Sequence, residues 1–217
     1  MAPGELRVAS APRFAVSAII RIVKLKPPDP PLADEAIRLV PMDDRHEAGI
    51  EMLLEDEDVR RHTRVPSEPP PGYAKTWLGR YEHGWRDGTR AGFAIESRDG
   101  EFLGLGMIVQ VEWEGRQGEI GYVVSSAARR RGVATRTLRL LSDWGFDDLG
   151  LERIELWIDV ENPGSERVAD RVGYVREGVL RSYWFKEDIR GDFGIWSRLR
   201  SEGAAPGSAT FDTRPQT

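Results

Sequence analysis

Cysteine is absent from all 217 residues. Its absence excludes disulfides, thiolate metal ligands and a cysteine nucleophile, and it suits a reducing cytosol, so a cytoplasmic location is expected. Histidine is scarce: His46, His62 and His83 fall at no metal-ligand spacing, and no metal is expected. Long apolar runs are also missing. The nearest, Phe14 to Val23, is interrupted by Arg21, flanked by Arg13 and Lys24, and far shorter than a bilayer-spanning helix, so no membrane association is read from it. Positive charge is not in excess either. With 31 Lys and Arg against 36 Asp and Glu, the net charge of -5 argues against a nucleic-acid partner, which would be held through its phosphates. Two nucleotide signatures are lacking as well, the GxxxxGK[ST] loop and the GxGxxG turn.

What remains is a chain of 40% hydrophobic residues, long enough for one substantial core. Residues 1–35 read as an N-terminal extension ending in a linker, because KPPDPP at Lys26 to Pro31 lacks backbone donors and restricts its neighbours. Residues 36–200 read as the domain. Residues 201–217, rich in Gly, Ala, Ser, Pro and Thr, read as a disordered tail. No fixed-period repeat is present, which sets solenoids and propellers aside.

Within the domain, strand and helix patterns alternate. Ala36 to Pro41 reads as a strand, and Asp43 and Asp44 suit the start of a helix running to about Leu54. Glu55 to Pro71 is charged and then proline-rich, and its run Glu55-Asp56-Glu57-Asp58 reads as a solvated face, with attraction of a cationic amine as the functional alternative. From Gly72, Tyr73, Trp77 and Tyr81 make a helical stripe, which faces either the core or an acceptor pocket. Ala91 to Ser97, Phe102 to Trp113 and Glu119 to Val124 read as an antiparallel meander. Arg153 to Val160 alternates cleanly, with Ile154, Leu156, Ile158 and Val160 on one face. A helix carrying Ala134, Leu138 and Leu141 separates it from Glu119 to Val124, so those two strands should run parallel through a right-handed crossover.

The stretch from Glu119 to Ala134, EIGYVVSSAARRRGVA, is the most informative in the chain. The first turn of a helix presents unpaired N–H groups, and Gly132 lets a ligand approach the backbone there. Arg129, Arg130 and Arg131 add charge-assisted donors, although three consecutive arginines alone could be a solvated loop. A strand before and a helix after supply the context of a phosphate cradle. Farther on, Glu161-Asn162-Pro163-Gly164-Ser165 precedes a helical pattern that closes at Gly173-Tyr174. Capping by Asn162 or Ser165 and a left-handed exit at Gly173 explain that pattern structurally.

Arg129-x-x-Gly132-x-Ala134 resembles motif A of the GCN5-related N-acetyltransferases (GNAT), and Asn162 to Gly173 resembles the family's second signature. The chain is most similar to the ribosomal-protein-alanine N-acetyltransferase-like (RimJ/RimL-type) branch in Glu119-Ile-Gly-Tyr122, Glu161 to Gly173 and Gly191-Asp192, with coverage from about Ile37 to Leu199. It departs from that branch at Trp196, where tyrosine is common, and in lacking an aromatic between Gly191 and Asp192.

The resemblance implies an α/β (α+β) GNAT fold, a mixed, mostly antiparallel central sheet of about six to seven strands with helices on both faces. It also implies acetyl transfer from acetyl-CoA to a primary amine, a protein N-terminus or a small molecule, by direct attack in a ternary complex. A homodimer is compatible with it, and a catalytically silent acyl-CoA-binding sensor is the alternative. An amine of pKa near 10.4 is disfavoured as free base at pH 7 by roughly 4 to 5 kcal/mol, so a base must help. Glu119 is the candidate base, with a solvated strand carboxylate as its structural alternative. Tyr122, Val123 and Val124 are expected along the pantetheine arm, and Arg129, Arg130, Arg131, Gly132, Val133, Ala134 and Thr135 around the diphosphate. By resemblance Ser165 assists the departing thiolate and Asn162 orders the arm, while Tyr183 is a rival acid or a packing aromatic.

Overall fold

The computed structural model describes residues 25–203. The apolar run Phe14 to Val23 and all but the first three residues of the expected tail lie outside them. Eight strands form one sheet: β1 (Leu32–Ala33), β2 (Ile37–Pro41), β3 (Ala91–Ser97), β4 (Phe102–Glu112), β5 (Gln117–Val124), β6 (Arg153–Asp159), β7 (Val175–Lys186) and β8 (Ile189–Leu199). Their order is β1-β2-β3-β4-β5-β6-β8-β7, and every neighbouring pair is antiparallel except β5 with β6. The parallel pair is the one expected from the intervening helix. The strand count exceeds the expected six to seven, because the end of the proline-rich stretch adds β1 at the sheet edge and Val175 to Leu199 makes a long hairpin.

Helices cover both faces. α1 (Glu47–Glu55), α2 (Glu57–His62) and α3 (Tyr73–Asp87) lie on one side, where Ile50, Leu53, Val59, Trp77 and Tyr81 pack with Leu105, Met107 and Val123 of the sheet. α4 (Val133–Asp147) and α5 (Pro163–Arg171) lie on the other, where Leu138, Leu141 and Ala169 pack with Ile120, Ile154, Leu156 and Ile158. β6 alternates as its sequence does, with Ile154, Leu156 and Ile158 buried and the odd-numbered residues between them half-buried. Leu25 is in the core at 5% exposure, so packing begins ahead of the proline-rich stretch. Asp34 and Glu35 pair with Arg136 of α4, which fixes that stretch to the crossover helix.

Two local outcomes depart from the sequence pattern. Asp43 caps a short 3-10 turn, Asp44–His46, which continues into α1 rather than opening it directly. The charged segment after α1 forms α2, which hydrophobic periodicity could not reveal because Val59 is its single buried residue. Its charges follow the helix dipole instead: Asp56 caps the start, Glu57 and Asp58 occupy the first turn, and Arg60, Arg61 and His62 occupy the last.

Candidate active site

β5 and β6 are paired only through Gln117–Arg153, Gly118–Ile154 and Glu119–Glu155. Beyond that point they diverge, although β5 runs on to Val124 and β6 to Asp159. β4 holds the outer edge of β5 and β8 the outer edge of β6, so the divergence leaves two facing edges whose backbone groups have no strand partner. Between these edges and α2, α3, α4 and α5 lies a cleft of about 850 Å³, within the usual size of a ligand site. Val109 is the extra residue of a bulge in β4, opposite Glu119 and Ile120, and it sharpens the local twist where the strands part.

At one end of the cleft stands the N-terminus of α4. Gly132 is its N-cap at φ 79°, in the left-handed region, with no side-chain cap on the helix. Arg136 is the first residue whose N–H meets a backbone carbonyl, that of Gly132, and so the N–H groups of Val133, Ala134 and Thr135 stay open. A Cβ at Gly132 would find nothing nearer than Arg136 Nε at 3.9 Å, which leaves room for a group to approach. Arg130, also left-handed at φ 60°, lines the cleft with Gly132, Val133, Ala134 and Thr135, whereas Arg131 is exposed and outside its wall.

Arg129 is engaged differently from a free phosphate donor. Its guanidinium reaches Asp58 and Asp56, each at 2.6 Å, and its Nε donates to the carbonyl of Val124 at 3.2 Å. The acidic run that read as a solvated face is therefore partly tied to the cradle.

Along the cleft, Val123 and Val124 are buried and Tyr122 half-buried. Burial pushes the Tyr122 phenol up to about 12, against the opposing influence of its neighbour Ser165. The two hydroxyls lie close without a well-directed hydrogen bond, since Tyr122 Oη is buried and unpaired among the described residues. Asn162 caps α5 by accepting from Ser165 N at 3.0 Å, with Pro163 at the first helical position, so the capping role read from sequence is present. Both side chains also line the cleft.

Glu119 sits where strand pairing ends, half-buried, its carboxylate without a hydrogen bond to another side chain among the described residues. Burial raises its carboxyl above the ordinary range and nearby Glu155 adds to that, while Arg64 and Arg90 oppose it. Glu155 is held differently, accepting from Arg153 at 2.7 Å and from Trp157 Nε1 at 3.1 Å. Of two adjacent carboxylates, one is thus engaged and one is kept available.

Tyr73, Trp77 and Tyr81 all line the cleft, and Trp77 and Tyr81 are also buried, at 9% and 5% exposure. The stripe is both core and wall. Tyr183 is 49% exposed, packs its ring on Trp157 at 5.0 Å and is not part of the cleft wall. One pair in the cleft escaped the sequence reading. His62 Nδ1 lies 2.8 Å from Asp159 Oδ2 across 97 residues, a separation that leaves no local pattern.

Residues 36–175 match the family model described as the acetyltransferase (GNAT) domain. Among curated proteins, the chain is 30% identical over 109 residues to the uncharacterized N-acetyltransferase YoaA of Bacillus subtilis, covering 50% of this chain and 62% of that protein. It is 30% identical over 105 residues to the spermidine N(1)-acetyltransferase of Escherichia coli K12, covering 48% and 56%. The chain thus spans a little over half the length of these curated relatives. Among solved structures, Mycobacterium smegmatis RimJ in complex with CoA-disulfide superposes with a TM-score of 0.70 at 27% identity, covering 76% of this chain and 83% of that one.

Proposed function

The chain belongs to the acetyltransferase (GNAT) family, and from that premise we propose that it transfers the acetyl group of acetyl-CoA to a primary amine held on the α2–α3 side of the cleft. The observation that carries this reading is the divergence of β5 from β6 beside an uncapped α4 N-terminus. Unpaired strand edges and open helix N–H groups are the two features an extended arm ending in a diphosphate requires. The RimJ structure with its CoA-disulfide supports the same donor.

Acetyl-CoA, when bound, supplies an activated thioester carbonyl. The N–H groups of Val133, Ala134 and Thr135, with Arg130, would hold the diphosphate, and the inner edge of β5 from Gly121 to Val124 the arm. Arg131, exposed outside the cleft wall, would act through local potential, and Arg129 would brace the turn while contributing its charge. A free β5 N–H would polarise the thioester carbonyl.

Glu119 takes a proton from the acceptor ammonium, directly or through water. Its raised pKa brings the carboxylate closer to the basicity the task needs, and its lack of a partner leaves it free to accept. Ser165 donates a hydrogen bond toward the departing thiolate, and Asn162, already fixed as the cap of α5, orders that end of the arm. The acceptor is a primary amine, a peptide N-terminus or a polyamine, the latter being what the similar spermidine N(1)-acetyltransferase is named for.

Titration calorimetry with acetyl-CoA, followed by free-CoA release over a panel of N-terminal peptides and polyamines, tests the reading. Saturable binding together with turnover on one amine class is expected. Binding without turnover would favour a silent acyl-CoA sensor, and absence of binding would overturn both.

A further inference from the structure

His62 ends α2 and Asp159 ends β6, and both line the cleft with side chains only 16% and 13% exposed. Asp159 is fixed on both oxygens, since Oδ1 accepts the N–H of Glu161 at 2.9 Å and Oδ2 faces His62 Nδ1 at 2.8 Å. A carboxylate only accepts, so Nδ1 carries the hydrogen, and the neutral form of the ring has its lone pair on Nε2. Nε2 has no hydrogen-bond partner among the described residues, yet it is not among their sealed, unpaired atoms and so remains reachable from the cleft. A carboxylate-oriented imidazole with a free basic nitrogen is the arrangement that moves protons in nucleophilic enzymes.

We infer that His62, oriented by Asp159, is a second proton carrier of the cleft, serving the nitrogen of the acceptor amine. The inference rests on the acetyl-transfer reading, because an ammonium must lose two protons to become an amide. Glu119 receives the first, which frees the nitrogen lone pair. The new C–N bond forms, and as the thioester C–S bond breaks the second proton passes from nitrogen to His62 Nε2. Asp159 stabilises the imidazolium, which returns that proton to the departing thiolate. The sum is amide, CoA thiol and one proton released to solvent from Glu119.

The charged groups around this pair include Asp58 and Arg61 on α2, Arg64 just after it, Glu119 on β5, Glu161 beyond β6 and Lys186 on β7. Two of them are occupied: Asp58 holds Arg129, and Glu161 holds Arg61 at 2.9 Å. Neither competes for Nε2.

The test uses the full chain with 15N-labelled histidine and compares wild type, His62→Gln and Asp159→Asn. With three histidines in the sequence, the His62 signals are assigned by their loss in the variant. The expected wild-type result is the Nδ1–H tautomer, disturbed in Asp159→Asn; an Nε2–H tautomer in wild type overturns the inference whether or not an acceptor has been found. In CoA release, His62→Gln should lower kcat roughly 10²-fold or more with acetyl-CoA affinity retained, and the acid side of the pH–kcat profile should lose one ionisation. Unchanged kcat and pH profile in His62→Gln also overturn it. A wild type that binds no acetyl-CoA fails the acetyl-transfer reading instead, and calorimetry identifies that case separately.

Discussion

Arg129 Nη2 lies 2.6 Å from Asp56 Oδ2, joining the turn before α4 to the N-cap of α2. The first arginine of the motif is thereby a brace between the two walls of the cleft, and Asp56 serves two structures at once. Asp56→Ala removes both the cap and the ion pair, and about 1–3 kcal/mol of stability should be lost in urea unfolding. Asp58→Ala, at a 65% exposed partner of the same arginine, should cost under about 1 kcal/mol. Burial pushes the Asp56 carboxyl up, but hydrogen bonds from Arg129 and the Val59 N–H outweigh it and set it below its ordinary 3.8. Its contribution is therefore full above that value, and the deficit of Asp56→Ala should shrink as pH falls through the lower folded value.

Gly132→Glu should remove acetyl-CoA binding, with at least a 100-fold rise in Kd by calorimetry. The backbone at φ 79° disfavours any side chain, and a carboxylate there would repel a diphosphate from the open N–H groups of α4. Gly132→Ala separates the causes, because it keeps the backbone strain without the charge and should bind more tightly than the glutamate variant.

Glu119→Gln should retain acetyl-CoA affinity within about threefold and lose roughly 10²-fold in kcat, measured as CoA release. Because burial raises the Glu119 carboxyl, wild-type activity should fall on acidification at a higher pH than an ordinary carboxylate would give. The stability sign runs the other way. A carboxyl raised in the folded state favours folding below its unfolded value and loses that contribution as pH rises through its folded one. At neutral pH Glu119→Gln should consequently melt no lower than wild type, and an equal or higher Tm by calorimetry checks this.

Tyr174→Phe tests the end of the second signature. Ser142 Oγ donates to the carbonyl of Leu138 at 2.7 Å, so the buried Tyr174 hydroxyl, also at 2.7 Å, donates to Ser142. Removing it should cost about 1 kcal/mol in urea unfolding, because one buried hydrogen bond is lost while Ser142 keeps its own. Acetyl-CoA affinity should be unchanged.

Much of this fold is legible because local periodicity states which face of an element is apolar. The alternation of Ile154, Leu156 and Ile158 and the stripe of Leu138 and Leu141 were sufficient to order β6 and α4 and to make their crossover parallel. α2 was not legible, since a helix with one buried residue carries almost no apolar period. The Tyr73, Trp77 and Tyr81 stripe admitted two readings, and both hold because the inner wall of the cleft is itself part of the core.

The sequence by itself determined the run of elements from α3 to α5, the glycine at the head of α4 and a side-chain cap at the head of α5, since each follows from a few adjacent residues and the conformations they permit. Only the tertiary structure decided where β5 parts from β6, that Arg129 grips Asp56 from 73 residues away, and that His62 meets Asp159 across 97. Those outcomes depend on how whole elements dock. Strand twist and the packing of α2 bring the side chains together, and no local pattern encodes a meeting between residues so far apart along the chain.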